Sequence, residues 1–186
     1  MKTFDLTLKK RSETGKKAAK NLRKEEKVLC EIYGNGRNIH CYGDYVPFQK
    51  AIYTPHVYLF NLDIEGEKIQ AVINEIQFHP VNDKILHVDF IEVVENKPVK
   101  VILPVELTGT SVGVMRGGKL RLAKRKLAVE GKINALPETI KIDISKLDVG
   151  NSIKVSDLAT NDIKFLDPAQ TLVVNIAASR ATAKSE

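Results

Sequence analysis

The 186-residue sequence has no tryptophan and only two cysteines, Cys30 and Cys41. Two cysteines are too few for a disulfide framework, and the N-terminal "MKTFDLTLKKRSE" lacks the apolar core of a signal peptide. No apolar run approaches the ~20 residues that a membrane helix needs. These absences predict a cytoplasmic protein with free thiols and argue against a membrane protein or a disulfide-stabilised secreted domain.

Residue patterns typical of enzymes are also missing. The chain has no Gly-x-Ser-x-Gly elbow, no cysteine in a nucleophile signature and no Cys/His cluster with the spacing of a metal site. We therefore predict no enzymatic activity, no cofactor, no bound metal and no small-molecule substrate.

Charge is plentiful, +6 overall, and it is unevenly distributed. Residues 1–24 hold nine Lys and Arg against two acids, whereas residues 25–95 hold five against twelve. Residues 96–186 hold fifteen against nine and include "RGGKLRLAKRK" (Arg116–Lys126), which has six bases and no acid. Either basic segment alone is compatible with solvated surface charge, but two such concentrations favour contact with a polyanion.

Alternating apolar residues predict strands through most of the chain: at 3–10, on both sides of a Gly34-Asn35-Gly36 turn, on both sides of a Glu65-Gly66 turn, and at 84–94. Helical spacing predicts a helix within 12–27 and a short one at 44–52. Beyond residue 95, short Val- and Ile-rich runs are typical of a small β-domain. We predict an all-β protein with a few short helices, with domains at 1–95 and 96–178 and a flexible tail at 179–186.

The helix predicted within 12–27 carries a basic stripe, and apolar residues lie on a different face that suits docking on a core. The stripe has four bases at i, i+4, i+7 and i+11, namely Lys16, Lys20, Arg23 and Lys27. Such a stripe is suited to following a line of phosphates. Tyr33, just before the glycine turn, is a candidate for stacking or for bonding a sugar, and a core or interface tyrosine is the alternative.

The stretch "EIQFHPVNDKILHVDFIEV" places His87 and Asp89 two apart, on one face of a predicted strand. Four interpretations are open: part of a catalytic triad, a metal site shared with His79, a structural surface pair, or recognition of a base. A carboxylate facing a polyanion is repelled by phosphate, so it makes sense there only if it is aimed at a base. The residues alone thus indicate a β-rich, two-domain RNA-binding protein and identify no particular RNA.

Four motifs in order carry a resemblance to a known family: "LKKRSETGKKAAKNLRKEEKVLCEIYG", "IQFHPVNDKILHVDF", "LTGTSVGVMRGGKL" and "IDISKLDVGNSIKVSDL". Together they resemble large-subunit ribosomal protein twenty-five in its long, two-domain form, the Ctc general-stress family. The resemblance implies an N-terminal closed six-stranded β-barrel with flanking helices, followed by a second β-domain. It also implies binding to 5S rRNA at its loop E region in the central protuberance, beside neighbouring ribosomal proteins.

The resemblance assigns RNA-binding roles to nine positions: Arg11, Lys16, Lys20, Arg23, Tyr33, Asn74, Gln77, His87 and Asp89. Two departures from the family pattern are Lys20, where arginine is common, and Asn21, where a second base is common. A lysine replaces a bidentate grip with a point charge, so we expect somewhat weaker, more salt-sensitive binding. An alternative function is a stress-induced factor that binds RNA or protein and meets the ribosome only conditionally.

Overall fold

The computed structural model describes residues 1–94, 97–158 and 163–178. The chain divides into two units, Met1–Val101 and Ile102–Glu186. The boundary predicted at residue 95 and the tail predicted at 179–186 fall outside the described residues, so both stay predictions. Among the described helices, none combines the length and the apolar character needed to cross a membrane.

The first unit is a closed six-stranded barrel, as the resemblance implied. Its strands are β1 (Lys2–Lys10), β2 (Lys27–Gly34), β3 (Arg37–Asp44), β4 (Tyr58–Ile64), β5 (Glu67–Phe78) and β6 (Ile85–Glu92). Its helices are α1 (Lys16–Lys24) and α2 (Tyr45–Ile52). The order around the barrel is β1-β3-β2-β6-β5-β4, with β1–β4 and β2–β6 parallel and the other pairs antiparallel. Closure leaves no exposed strand edge in this sheet.

The two hairpin turns lie where the glycines predict them. Asn35 and Gly36 (φ +50° and +77°) join β2 to β3, and Glu65 and Gly66 (φ +54° and +96°) join β4 to β5. Positive φ at both positions is the type I′ geometry, whose twist matches that of the flanking strands. These turns fix the register of both hairpins, and therefore which side chains face outward.

The barrel interior is filled by aromatic and branched aliphatic side chains. Phe60 packs edge-on against Phe90 with ring centroids 5.4 Å apart, and both are almost fully buried. Helix α2 closes part of the barrel by inserting Phe48. Gly43 permits this close packing, because a Cβ there would lie 2.8 Å from Leu8 Cδ2 and 2.9 Å from Phe48 Cε2.

The two cysteines lie inside this core. Cys30 and Cys41 are cross-strand partners on β2 and β3, and both are buried free thiols. Burial raises the pKa of Cys30 well above its ordinary value and that of Cys41 to about 11. Because the thiolate is the reactive form, both cysteines are inert packing residues at neutral pH.

The first helix is shorter than predicted. It ends at Lys24, and Glu26 (φ +56°) turns the chain into β2. Lys27, predicted on the basic stripe, therefore belongs to β2, where its ammonium forms an ion pair with Asp44. The remaining stripe is Lys16, Lys20 and Arg23.

The second unit is also mainly β, which confirms the predicted fold class. Its described elements are β7 (Val99–Thr108), whose first residues belong to the first unit, α3 (Val112–Met115), β8 (Lys119–Leu122), β9 (Lys126–Gly131), β10 (Ile140–Asp143), β11 (Ser152–Lys154), β12 (Lys164–Phe165) and β13 (Leu172–Ala177). They form a four-stranded sheet, β10-β7-β9-β12, and a three-stranded sheet, β11-β13-β8. Buried Ser111 joins loops within this unit: its hydroxyl donates to the Leu147 carbonyl at 2.7 Å and accepts from the Val114 N–H.

The barrel core predicts the cost of removing its central ring. Phe60→Ala should lower the free energy of unfolding by about 3–5 kcal/mol, since it removes buried area and leaves a cavity. Val46→Ala is the matched control, because Val46 is 57% exposed and should change stability by less than about 0.5 kcal/mol. Urea unfolding measures the free energy of unfolding of each variant, and amide hydrogen exchange in β4 and β6 provides a second measurement. Equal decreases in the free energy of unfolding of the two variants would contradict the packing described here.

Candidate nucleic-acid interface

The polar strand face lies on the outside of the barrel across β2, β6 and β5. Val28, Cys30 and Ile32 of β2 point inward, so the intervening Glu31 and Tyr33 point outward. The same alternation on β6 turns His87 and Asp89 outward. Cross-strand pairing then aligns two rows: one holds Glu31, Asp89 and Glu75, and the next holds Leu29, His87 and Gln77.

His87 and Asp89 are in direct contact on this face. His87 Nδ1 lies 2.6 Å from Asp89 Oδ1, and their side chains are only 18% and 23% exposed. The contact lacks hydrogen-bond geometry, and both atoms are shielded from solvent without a hydrogen-bond partner. A buried polar atom without a hydrogen-bond partner is costly to folding.

Tyr33 and Asn74 form a second polar pair. Asn74 lies where the β5–β6 register shifts, and such bulges redirect a side chain. Its Nδ2 donates to the Tyr33 hydroxyl oxygen at 2.6 Å, which leaves the hydroxyl hydrogen available to another acceptor. Burial and the nearby Asp89 charge raise the pKa of Tyr33 against the opposing effect of Asn74, so the phenol remains a donor at neutral pH.

Helix α1 lies beside this face and is tied to it. Arg23 Nε donates to the Leu86 carbonyl of β6 at 3.3 Å. The helix also packs on β2, where Leu29 points outward and is nevertheless buried. Lys16 and Lys20 are exposed, and neither has a hydrogen bond or ion pair among the described residues. Arg23 thus holds the helix in place, while the two lysines remain available to a ligand.

Arg11 lies in the loop between β1 and α1. Its backbone N–H donates to the His40 carbonyl at 2.9 Å and one terminal nitrogen donates to the Glu13 carbonyl at 3.3 Å. Its Nε is buried without a partner. The backbone of Arg11 is therefore fixed to the barrel, and part of its guanidinium donor capacity is unused.

Among the described residues, one triad of side chains has metal-ligand chemistry: Glu31, His87 and Asp89 each offer an atom within 4.8 Å of the others. It does not include His79, whose Nδ1 accepts from the Val81 N–H in the β5–β6 turn. Glu31 already accepts a hydrogen bond from Asn38. The structure therefore brings together His87 and Asp89, as the sequence predicts, and separates His79 from them.

Comparison with known proteins gives a family match for most of each of the two β-domains. Residues 6–90 match the Ribosomal L25p family, and residues 98–180 match the family described as Ribosomal protein TL5, C-terminal domain. The large ribosomal subunit protein bL25 of Porphyromonas gingivalis is 40% identical over 183 residues, covering 97% of this chain and 95% of the relative. Its counterpart in Bacteroides thetaiotaomicron is 38% identical over 175 residues, covering 94% and 89%.

The chain belongs to the bL25 family of ribosomal proteins. The matches to both parts confirm the resemblance to the long, two-domain form. The bL25 family consists of structural ribosomal proteins, so the chain is not an enzyme.

Within this member of the bL25 family, eight of the nine predicted residues fall into two groups around one face, and Arg11 lies in the loop between β1 and α1. Tyr33, Asn74, Gln77, His87 and Asp89 lie on β2, β5 and β6, whereas Lys16, Lys20 and Arg23 lie on α1. Glu31 is a member of the strand face that the local sequence pattern does not reveal. The information that would have identified Glu31 is the parallel pairing of β2 with β6, which places Glu31 directly beside Asp89.

The Tyr33 environment makes a testable prediction about its titration. Asp89→Asn should lower the pKa of Tyr33 towards its ordinary value, because it removes a negative charge that disfavours the phenolate. Asp63→Asn, on β4 away from this face, is the matched control and should leave Tyr33 unchanged. NMR titration of labelled tyrosines measures the shift, with Tyr53, whose pKa is raised to about 12 by burial and Tyr45, as an internal reference. An unchanged Tyr33 in Asp89→Asn would show that the two groups do not interact.

Proposed function

We propose that this protein is a structural component of the large ribosomal subunit that binds 5S rRNA at its loop E region, in the central protuberance. The named relatives are large ribosomal subunit proteins, which supports a ribosome-bound, cytoplasmic protein with neighbouring ribosomal proteins as partners. The choice of 5S rRNA rests on the family resemblance of the nine site positions.

One observation carries the proposal: Lys16 and Lys20, two of the α1 cations that have no partner among the described residues, stand beside a polar, partly acidic strand face. Lys16 and Lys20 are suited to phosphates, and their contacts depend little on base sequence. Arg23 holds this helix against β6, so the cations and the strand face keep a fixed separation. A ligand that uses both must present phosphates and base edges at once.

The strand face supplies complementary hydrogen-bonding groups. The Tyr33 hydroxyl accepts from Asn74 and keeps its hydrogen for an acceptor on the ligand, while the carboxylate of Asp89 can accept from exocyclic amino groups such as those of guanine and cytosine. Phosphates approaching Asp89 or Glu75 are repelled, so the face selects ligands that turn base edges toward it. Double-stranded RNA is read mainly on its shallow minor-groove side, and an internal loop adds base edges that a regular helix hides.

A footprint tests the target directly. The full-length protein should protect the non-Watson–Crick internal loop of its own 5S rRNA from chemical cleavage, and that protection should survive an excess of tRNA. Diffuse protection that tRNA removes would reduce the interface to a non-specific electrostatic patch. It would leave His87 and Asp89 as a structural pair.

Single substitutions separate the two parts of the interface. Asp89→Ala should weaken 5S rRNA binding by about 1–3 kcal/mol with little change in the slope of log K against log salt, because it loses base contacts. Lys16→Ala should weaken binding and reduce that slope by about 1, because it removes one phosphate contact. Binding titrations at several salt concentrations measure both quantities.

Lys68→Ala is the matched control for charge. Lys68 is an exposed lysine at the start of β5, paired across the sheet with Asp63 and remote from α1. It should change neither affinity nor slope. Identical effects of Asp89→Ala and Lys16→Ala on both quantities would contradict the division between base recognition and phosphate binding.

A further inference from the structure

The basic segment Arg116–Lys126 divides into paired and unpaired cations in the structure. Arg116 forms an ion pair with Asp148. Lys124 lies 2.9 Å from Asp167, which also accepts from the Ala128 N–H. Burial opposes ionisation of Asp167, but these two donors outweigh it and lower its pKa. Two of the six bases are therefore engaged in ion pairs within the second unit.

The other four bases have no acidic partner among the described residues. They are all exposed: Lys119, Arg121, Arg125 and Lys126. Four unpaired cations within eleven residues repel one another, and this repulsion disfavours the compact state. A structural role therefore accounts for only part of the segment.

Two of these cations share the outer face of a small sheet. Lys119 and Arg121 lie on β8, the edge strand of the sheet ordered β11-β13-β8. Leu120 and Leu122 alternate with them and pair with Ile176 and Val174 of β13, which are buried. Lys119 and Arg121 therefore point away from the core, about 7 Å apart along the strand.

A polar row crosses this face. Arg121 is the cross-strand partner of Asn175, and Asn175 is in turn the partner of Ser152 on β11. The three side chains lie on one side of the sheet, with directly opposite Cβ atoms about 5 Å apart. Asn175 Oδ1 is buried without a hydrogen-bond partner.

Edge strands often carry lysine because charge prevents pairing with other chains, and this accounts for Lys119 and Arg121. It does not account for Asn175, which lies on the central strand and leaves an acceptor unsatisfied at a cost to folding. Asn175 lies on the central strand between an arginine and a serine. Together these side chains give the outer face of the sheet a row of polar groups, as expected of a surface that binds a polar ligand.

We propose that the outer face of β8, β13 and β11, through Lys119, Arg121, Asn175 and Ser152, is a second RNA-binding surface that takes the sugar–phosphate backbone of ribosomal RNA. The two cations bind phosphates, and the Asn175 amide nitrogen and the Ser152 hydroxyl donate hydrogen bonds to phosphate oxygens and ribose hydroxyls. The identity of the RNA rests on the proposed function, which places the chain within the ribosome.

The centre of the face favours RNA over a protein partner. Protein interfaces are depleted of charge and enriched in aromatic residues at their buried centre. This face has the row Arg121–Asn175–Ser152 at its centre and no aromatic residue among its paired positions. Hydrogen bonds to RNA backbones come from the residue types present here.

Photo-crosslinking in the assembled particle tests the proposal. Full-length protein with p-benzoylphenylalanine in place of Arg121 is assembled into large subunits, which are washed, collected by sedimentation and irradiated. The control carries the same probe in place of Lys141, an exposed residue of β10 in the other sheet. We expect a ribonuclease-sensitive adduct at position 121, several-fold more abundant than at position 141. A protein adduct alone, or equal RNA yields at the two positions, would overturn the proposal.

A binding experiment makes failure of this surface distinguishable from failure of the proposed function. The probe is purified large-subunit rRNA lacking 5S rRNA, and the variant is the double substitution K119A/R121A. We expect it to reduce affinity several-fold and to lower the salt slope by about 1.5, from ~0.7–0.9 per phosphate. The double substitution K132A/K141A removes the same charge elsewhere in the second unit and should have little effect.

Equal behaviour of the two double variants would overturn the second surface while leaving 5S rRNA binding untouched. The proposed function would be overturned instead if excess tRNA abolished binding to 5S rRNA and the protein did not sediment with large subunits. Circular dichroism of K119A/R121A checks that the sheet remains folded, and loss of binding in a folded variant supports the surface.

Discussion

The parallel pairing of β2 with β6 is the constraint on which the candidate interface depends. These strands are separated by more than fifty residues, and their register places Glu31 beside Asp89 and brings Tyr33 within reach of Asn74. Because side chains alternate across a strand, a shift of one residue would turn Asp89 into the core and Val88 outward. The hydrophobic core therefore fixes the register, and the register in turn fixes the outer polar face.

The arrangement also accounts for the acids in a surface that we propose binds a polyanion. The cations of α1 are held next to the strand face by the bond from Arg23 to the Leu86 carbonyl. General attraction then comes from the helix, while Glu31, Glu75 and Asp89 penalise any approach that brings phosphates onto the strands. Cations on the helix and acids on the strands together weaken the binding of an RNA that places phosphates on the strands. An RNA that places base edges there is affected less, so the repulsion contributes to specificity.

The sequence predicts those features of the fold and of the site that depend on neighbouring residues. Positive φ at Asn35 and Gly36 follows from a short glycine turn, and the shared face of His87 and Asp89 follows from their spacing of two. Barrel closure came from family resemblance, because local patterns do not show which strands meet. For the same reason, the sequence does not identify Glu31 as part of the strand face. It also predicts Lys27 on the helix, although the chain turns at Glu26, before Lys27.

Charge along the chain is a weak guide to an interface because it ignores the face on which each side chain lies. Within Arg116–Lys126, ion pairs with Asp148 and Asp167 use two cations to hold loops of the second unit, although both acids are distant in sequence. Strand geometry then separates Lys119 and Arg121, which share a face with Asn175, from the leucines between them. A run of six bases thus contains both paired and unpaired cations, and only the tertiary structure shows to which group each base belongs.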